Sequence, residues 1–218
     1  MIEIPLFPLN TVLFPGTDLH LHIFEDRYKV MIASCIKKQV PFGVVLIKSG
    51  FEAYDQDVEI FYIGCTAIIN RFDKLQDGNF NISVRGVERF RILSMSIINK
   101  PYKVAKIKML PLKLINESRW EASFDDLSSL VNRYVNKLLK DSKNKLDIIN
   151  IPDTPFELAM FSADLLQTST LTKQKLLSLE SVGDLLGNLV VIYRRELAIL
   201  DVVLNDRESS SIGSFSIN

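Results

Sequence analysis

The feature that most constrains this chain is a change of hydrophobic period near Leu112. Before it, apolar and polar residues alternate. Phe80, Ile82 and Val84 alternate with Asn81, Ser83 and Arg85, and Phe90 and Ile92 with Arg89 and Arg91. Ala105, Ile107 and Met109 alternate with Lys106 and Lys108. A repeat of two puts one face of a strand in a core and the other in water. Val40 to Ile47 and Val58 to Phe72 are longer apolar runs rich in branched residues, which also suit strands. Asp77-Gly78 lies between two runs and tolerates the positive φ of a tight hairpin. One helix interrupts: from Arg27 to Lys38, Tyr28, Met31, Ile32 and Cys35 form a stripe, with Glu25 and Asp26 at its positive end.

After Leu112 the repeat becomes helical. Trp120, Phe124, Leu127, Val131, Tyr134 and Leu138 are spaced 4, 3, 4, 3 and 4 apart, one stripe on a long helix. Ser118 and Glu121 form a capping box at its start. Thr154-Pro155-Phe156-Glu157 places a hydroxyl at N-cap, Pro at N1 and Glu at N3, which predicts a helix over 155–167. Further helices are expected over 172–179 and 182–205. Gly183 and Gly187 lie four apart on the last one, which suggests close packing of two helices. Arg194, Arg195, Glu196 and Asp201 exclude a membrane span there. The serine-rich end reads as disordered. The expectation is an α+β chain: a β-rich domain over 1–112, a helical bundle over 113–206 and a tail over 207–218.

Composition narrows the function classes. Lys plus Arg and Asp plus Glu both total 26 in 218 residues. Residues 1–112 carry 14 basic and 11 acidic residues, and residues 113–218 carry 12 and 15, so neither half has a strong field. A dedicated nucleic-acid binder usually has a basic excess. The longest stretch free of charge, Ile4 to Thr17, is 14 residues long and holds Pro5, Pro8 and Pro15, too short and too broken to span a bilayer. Met1-Ile2-Glu3 has none of the basic character of a secretory signal. Cys35 and Cys65 are too few for a zinc site or a disulfide scaffold. Free thiols in a reducing cytoplasm are the expectation.

No motif carries chemistry by itself. Gly43 to Ser49 faintly resembles a phosphate loop, but its middle is Val-Val-Leu-Ile, which cannot turn its amides toward an anion. His20 and His22 share a strand face, yet too few further ligands accompany them for a metal site. Cys35 and Cys65 sit in apolar stretches, where thiols are inert packing groups. No G-x-S-x-G elbow is present. Arg27, Arg85, Arg89, Arg91, Lys106 and Lys108 are read as outward-facing, solvated residues.

The N-terminal sequence resembles a known family. Ile4-Pro5-Leu6-Phe7-Pro8-Leu9-Asn10-Thr11-Val12-Leu13-Phe14-Pro15-Gly16 and Leu19-His20-Leu21-His22-Ile23-Phe24-Glu25-Asp26-Arg27-Tyr28 resemble the opening of the Lon protease N-terminal, or substrate-binding, domain. Phe42-Gly43-Val44-Val45, Ile63-Gly64-Cys65-Thr66-Ala67, Gly86-Val87-Glu88-Arg89-Phe90-Arg91-Ile92 and Pro101-Tyr102-Lys103-Val104-Ala105 extend the resemblance in order. Asp26 departs from the family's usual proline, and suits a first helical turn equally.

The resemblance implies a PUA-like β pseudo-barrel followed by an α-helical bundle. It also implies a role in recognising polypeptide substrates, or in docking on a protease or chaperone partner. No Walker motif and no Ser-Lys peptidase block is present, so a stand-alone, non-enzymatic cytoplasmic module without cofactor or metal is expected. Phe14, Phe51 and Tyr54 are the candidate contacts for a bound polypeptide. The rival reading is an RNA-binding PUA-like protein carried by the outward Arg and Lys residues.

Overall fold

A computed structural model of the chain describes residues 2–50, 58–96, 100–114, 117–141 and 150–212. It divides into two compact units: Met1–Lys113 with Ala163–Glu180, and Leu114–Ser162 with Ser181–Asn218.

Among its described residues the first unit holds seven strands, two helices and the end of a third. The strands are β1 (Ile2–Leu9), β2 (Asp18–Ile23), β3 (Phe42–Ser49), β4 (Glu59–Ile60), β5 (Ile63–Lys74), β6 (Phe80–Ser96) and β7 (Val104–Met109). Helix α1 (Asp26–Lys38) lies between β2 and β3 in the chain. Hydrogen-bonded neighbours run β1-β7-β6-β5-β3, and β3 pairs back with β1. This closing pair is parallel, with Leu6 opposite Gly43 and Leu9 opposite Leu46; the other pairings are antiparallel. The result is an uneven ring with β2 added beside β6 and β4 beside β3. The α+β class and the pseudo-barrel expected from sequence hold in this irregular form. β1 contains Pro5 and Pro8, yet Ile2–Pro5 pairs only with β7 and Leu6–Leu9 only with β3. Apart from Leu6 N–H, which donates to Lys103 O at 2.9 Å, each half keeps one flank without a strand partner, which is where a strand tolerates proline.

β6 turns the ring's corner. Its first residues lie between β2 and β5, and its last pair with β7. Gly86 sits at the switch: a Cβ there would lie 2.1 Å from the Phe14 carbonyl oxygen. Its N–H donates to Thr17 O at 2.9 Å, and its own carbonyl accepts from Gly16 N–H at 2.8 Å. Next to it the β5–β6 register slips between Cys65 and Ala67. The Thr66 hydroxyl bridges the gap, accepting from Glu88 N–H at 3.1 Å and facing Glu88 O at 3.2 Å. A bulge is therefore present beside Gly86. Gly64 serves a close approach instead, since a Cβ there would sit 2.3 Å from Val44 O.

Two apolar clusters fill the unit. One joins Phe7, Tyr28, Met31, Ile32, Phe42 and Val84, and so anchors α1 to the sheet. The other joins Ile4, Leu6, Val45, Phe90, Ile92 and Ile107. The α1 stripe is buried as its spacing predicts, and Arg27 pairs with Glu25 at 2.8 Å. Asp77-Gly78 forms the β5–β6 turn, with Gly78 at φ 82°.

The segment 163–180, expected with the helical bundle, groups with the sheet. It contains α4 (Thr170–Ser178), which follows α3 (Pro155–Leu165). Gln174 Nε2 donates to Ile63 O at 3.0 Å. The Arg89 guanidinium donates to Leu177 O at 2.6 Å and Leu179 O at 2.5 Å. Arg89 is thus not the outward, solvated residue its alternation suggests; it is 3% exposed. Phe90 fills the core on one face of β6, while Arg89 meets the carbonyl end of α4, a site suited to a cation.

In the second unit α2 (Glu117–Asp141) packs on α5 (Val182–Ile212). Leu127, Val131 and Tyr134 of one and Leu185, Leu189 and Tyr193 of the other are buried. Tyr134 and Tyr193 meet edge to face at 5.2 Å, and Tyr193 donates to Ser162 O at 2.9 Å. Thr154 caps α3 as expected, accepting from Glu157 N–H at 3.4 Å and donating to its carboxylate at 2.8 Å. The side chains of the Ser118–Glu121 box lie partly outside the described residues. Gly187 corrects an expectation: a Cβ there would meet nothing within 4 Å, so it marks no close helix packing. α5 runs to Ile212, past the expected end at Asn205, so the first part of the presumed tail is helix; 213–218 lie outside the described residues.

Candidate functional site

Among the described residues, the longest unpaired stretch of strand in the first unit lies beside α1. α1 ends at Lys38, and Gln39 takes a left-handed conformation at φ 54°. Its N–H and that of Val40 bond back to Ile36 O and Cys35 O, closing the helix. The chain then enters β3 at Phe42, opposite Ala67 of β5. Beyond Ala67, β5 continues to Lys74 with β6 on one side only. Among the described residues no strand continues β3 along that other edge.

A cleft of about 350 Å³ fills this position. Cys35, Ile36, Gln39 and Val40 form one wall, and Ile68, Ile69 and Phe72 the other. Ile69 and Phe72 are three apart and would face opposite ways in a regular strand. The β5–β6 register slips between Ile69 and Arg71, making Asn70 an extra residue. Phe72 therefore lies opposite Ile82, as Ile69 lies opposite Val84, and both fall on one face of the sheet. Val40, Ile68 and Phe72 are 42%, 43% and 51% exposed. Lys37, Lys38, Arg71 and Lys74 stand on the same elements, with Arg71 paired to Asp73 at 3.4 Å. Burial pushes the Cys35 thiol up to about 11, so it lines the cleft as a neutral, unreactive group.

A second depression, about 580 Å³, lies over β2, β6 and β5. His20 faces Ser83, which faces Arg71, and His22 faces Asn81, which faces Asp73. His22 Nδ1 lies 2.7 Å from Asn81 Oδ1. Among the described residues no three His, Cys, Asp or Glu side chains converge to hold a metal ion. His20 and His22 share a face as their spacing predicts.

The sequence-predicted contacts fall elsewhere. Phe14 is 0% exposed; it packs in the interior beside the Gly86 corner and offers no surface. Phe51 and Tyr54 lie outside the described residues. Cys65 is buried and its thiol is pushed up to about 12. Of the basic residues, Arg27 pairs with Glu25, Arg85 with Asp18 at 3.1 Å, and Arg89 is interior. No helix among the described residues is long and apolar enough to cross a membrane. The cleft residues carried one faint sequence signal: Ile68 and Phe72 are apolar in an otherwise polar strand end.

Comparison with known proteins follows this geometry. The family model described as the ATP-dependent protease La (LON) substrate-binding domain matches residues 3–194. Lon protease of Flavobacterium johnsoniae is 29% identical over 192 residues, 84% of this chain and 23% of that protein. Lon protease of Escherichia coli K12 is 25% identical over 202 residues, 92% of this chain and 26% of that protein. The chain thus spans about a quarter of the length of these curated relatives. The Lon N-terminal domain protein of Xanthomonas campestris shares the fold, with a TM-score of 0.67 and 24% identity over 88% of this chain and 98% of that one. The N-terminal domain of Mycobacterium avium complex Lon protease does so at a TM-score of 0.65 and 16% identity, with the same coverage. The match over residues 3–194 places the chain in the family of LON substrate-binding domains.

Proposed function

We propose that this chain is a polypeptide-binding module of the cytoplasm that carries out no chemical step of its own, and that the cleft between α1 and β5 receives the polypeptide. The observation that carries the reading is the family match over residues 3–194, joined to an apolar cleft whose walls include three exposed hydrophobic side chains. Exposed apolar residues gathered around a concavity favour binding of apolar segments, as scattered ones do not. Both thiols are held protonated by burial, which favours binding over nucleophilic chemistry. Of the basic residues that would support RNA binding, Arg27 and Arg85 are engaged with carboxylates and Arg89 with carbonyls, which favours polypeptide over nucleic acid.

The test is a titration of fluorescently labelled, reduced and alkylated model protein, unfolded in buffer. Saturable binding is expected, weakened about tenfold, or ~1.4 kcal/mol, by Phe72→Ser. No saturation, or a variant that binds as the wild type does, counts against the cleft. Tight binding of RNA that falls linearly in log K with log salt would favour the rival reading.

A further inference from the structure

From the open edge of β5 we infer how the cleft holds its ligand: an extended polypeptide adds as a further strand along Ile68–Lys74, in line with β3. This deepens the proposed polypeptide binding and rests on it. β3 pairs with β5 only from Phe42 opposite Ala67 to Val44 opposite Cys65. Past Ala67 the chain of β3 has turned away through Val40 and the left-handed Gln39 into α1. The cleft lies where β3 would run if it continued. One side of it offers the backbone edge of β5, and the other the end of α1.

An unpaired edge presents main-chain donors and acceptors at strand spacing, which an incoming extended backbone satisfies. Side chains of an added strand alternate, so every second one faces the apolar patch of Val40, Ile69 and Phe72. Recognition of this kind depends on the backbone for affinity and asks of the sequence only alternate apolar residues and few prolines.

A second copy of this chain is the other conceivable occupant. The bulge at Asn70 and the charges of Arg71, Asp73 and Lys74 guard the edge against pairing with another sheet. A partner β5 would also bring its own α1 end to the same cleft. A single flexible strand follows a bulged edge without that obstruction.

The test uses the full chain and a short fluorescein-labelled peptide with apolar residues at alternate positions. Two further peptides carry the same side chains, with backbone N-methyl groups on amides of one edge or of the other. Methylation of the edge that meets β5 is expected to weaken binding about tenfold or more, and methylation of the opposite edge to leave it nearly unchanged. Amide exchange of 68–74 should slow when the unmodified peptide is bound. If both methylated peptides bind equally well while Phe72→Ser still weakens binding, the cleft holds side chains alone; strand addition is then overturned and polypeptide binding stands. If no peptide binds and labelled unfolded protein does not bind either, both fall. A concentration-dependent dimer dispersed by Phe72→Ser and indifferent to the peptide would assign the edge to a second copy and overturn the inference.

Discussion

Arg89 and Gln174 join the sheet to α4, and each is buried. Arg89 spends its charge on two carbonyls at the end of the helix, 88 and 90 residues away in sequence. Desolvation lowers its pKa to about 10, so the charge persists at neutral pH. Arg89→Ala removes two charge-assisted hydrogen bonds and leaves buried carbonyls unpaired, so a loss of about 3 kcal/mol is expected by urea unfolding. A loss below about 1 kcal/mol would mean that α4 is held by packing alone. The thiols give a prediction in pH. Cys35 and Cys65 ionise near about 11 and about 12 in the folded chain, against a usual 9.0. Above that usual value the unfolded chain gives up protons that the native chain keeps, so stability present below pH 9.0 is lost as pH rises toward 12. Denaturant titrations from pH 8 to 11 should show a shallower decline for Cys65→Ala than for wild type; parallel slopes would refute the assignment.

Among the elements, β6 repays attention because most of the ring's irregularities gather along it. Its alternation from Phe80 to Arg85 and from Arg89 to Ile92 is plain in the sequence, and both stretches are strand. What lay beyond reach was that they form one strand of 17 residues with slips in its ladders. A bulge shifts parity without changing composition, so Phe72 looks misplaced until Asn70 is recognised as the extra residue. Arg89 failed as a surface reading for a different reason: its cover, α4, is local to it only in space. Phe14, a candidate contact on the N-terminal segment, is held inside by the chain's close passage over Gly86. Helix starts were more legible, because Thr154 and Glu157 satisfy orphan amides within one turn. Two substitutions examine the corner. Thr66→Val keeps the shape but removes the hydroxyl that bridges Glu88, and about 1–2 kcal/mol of stability should go with it. Gly86→Ala forces a methyl toward the Phe14 carbonyl, and a cost of about 3 kcal/mol or more is expected in thermal or urea unfolding. A near-neutral Gly86→Ala would show that the passing chain moves aside freely.

Over the whole chain, the two units are interleaved in sequence. The first is completed by residues 163–180, after the second has already begun at Leu114. A fragment ending at Lys113 carries all seven strands but lacks the partners of Arg89 and of Ile63 O. It should be less stable than the first unit in the full chain, with faster amide exchange in β5 and β6. Adding a synthetic peptide of 163–180 should restore protection in part, and equal protection without the peptide would count against the interleaving. The period change near Leu112 marks the end of the strands correctly, because periodicity reports each element's own exposure. It carries no information on which later helix returns to cover them.

The order of synthesis gives this interleaving a further meaning. β1 leaves the ribosome before its partner β7, which follows about a hundred residues later, and α4 comes later still. During that interval Ile2–Pro5 of β1 has no strand partner on the growing chain, and the outer flank of β5 is unpaired. A domain of this design is, while being made, itself an incompletely folded chain with an open strand edge, and it passes through the kind of state that its finished form is proposed to recognise.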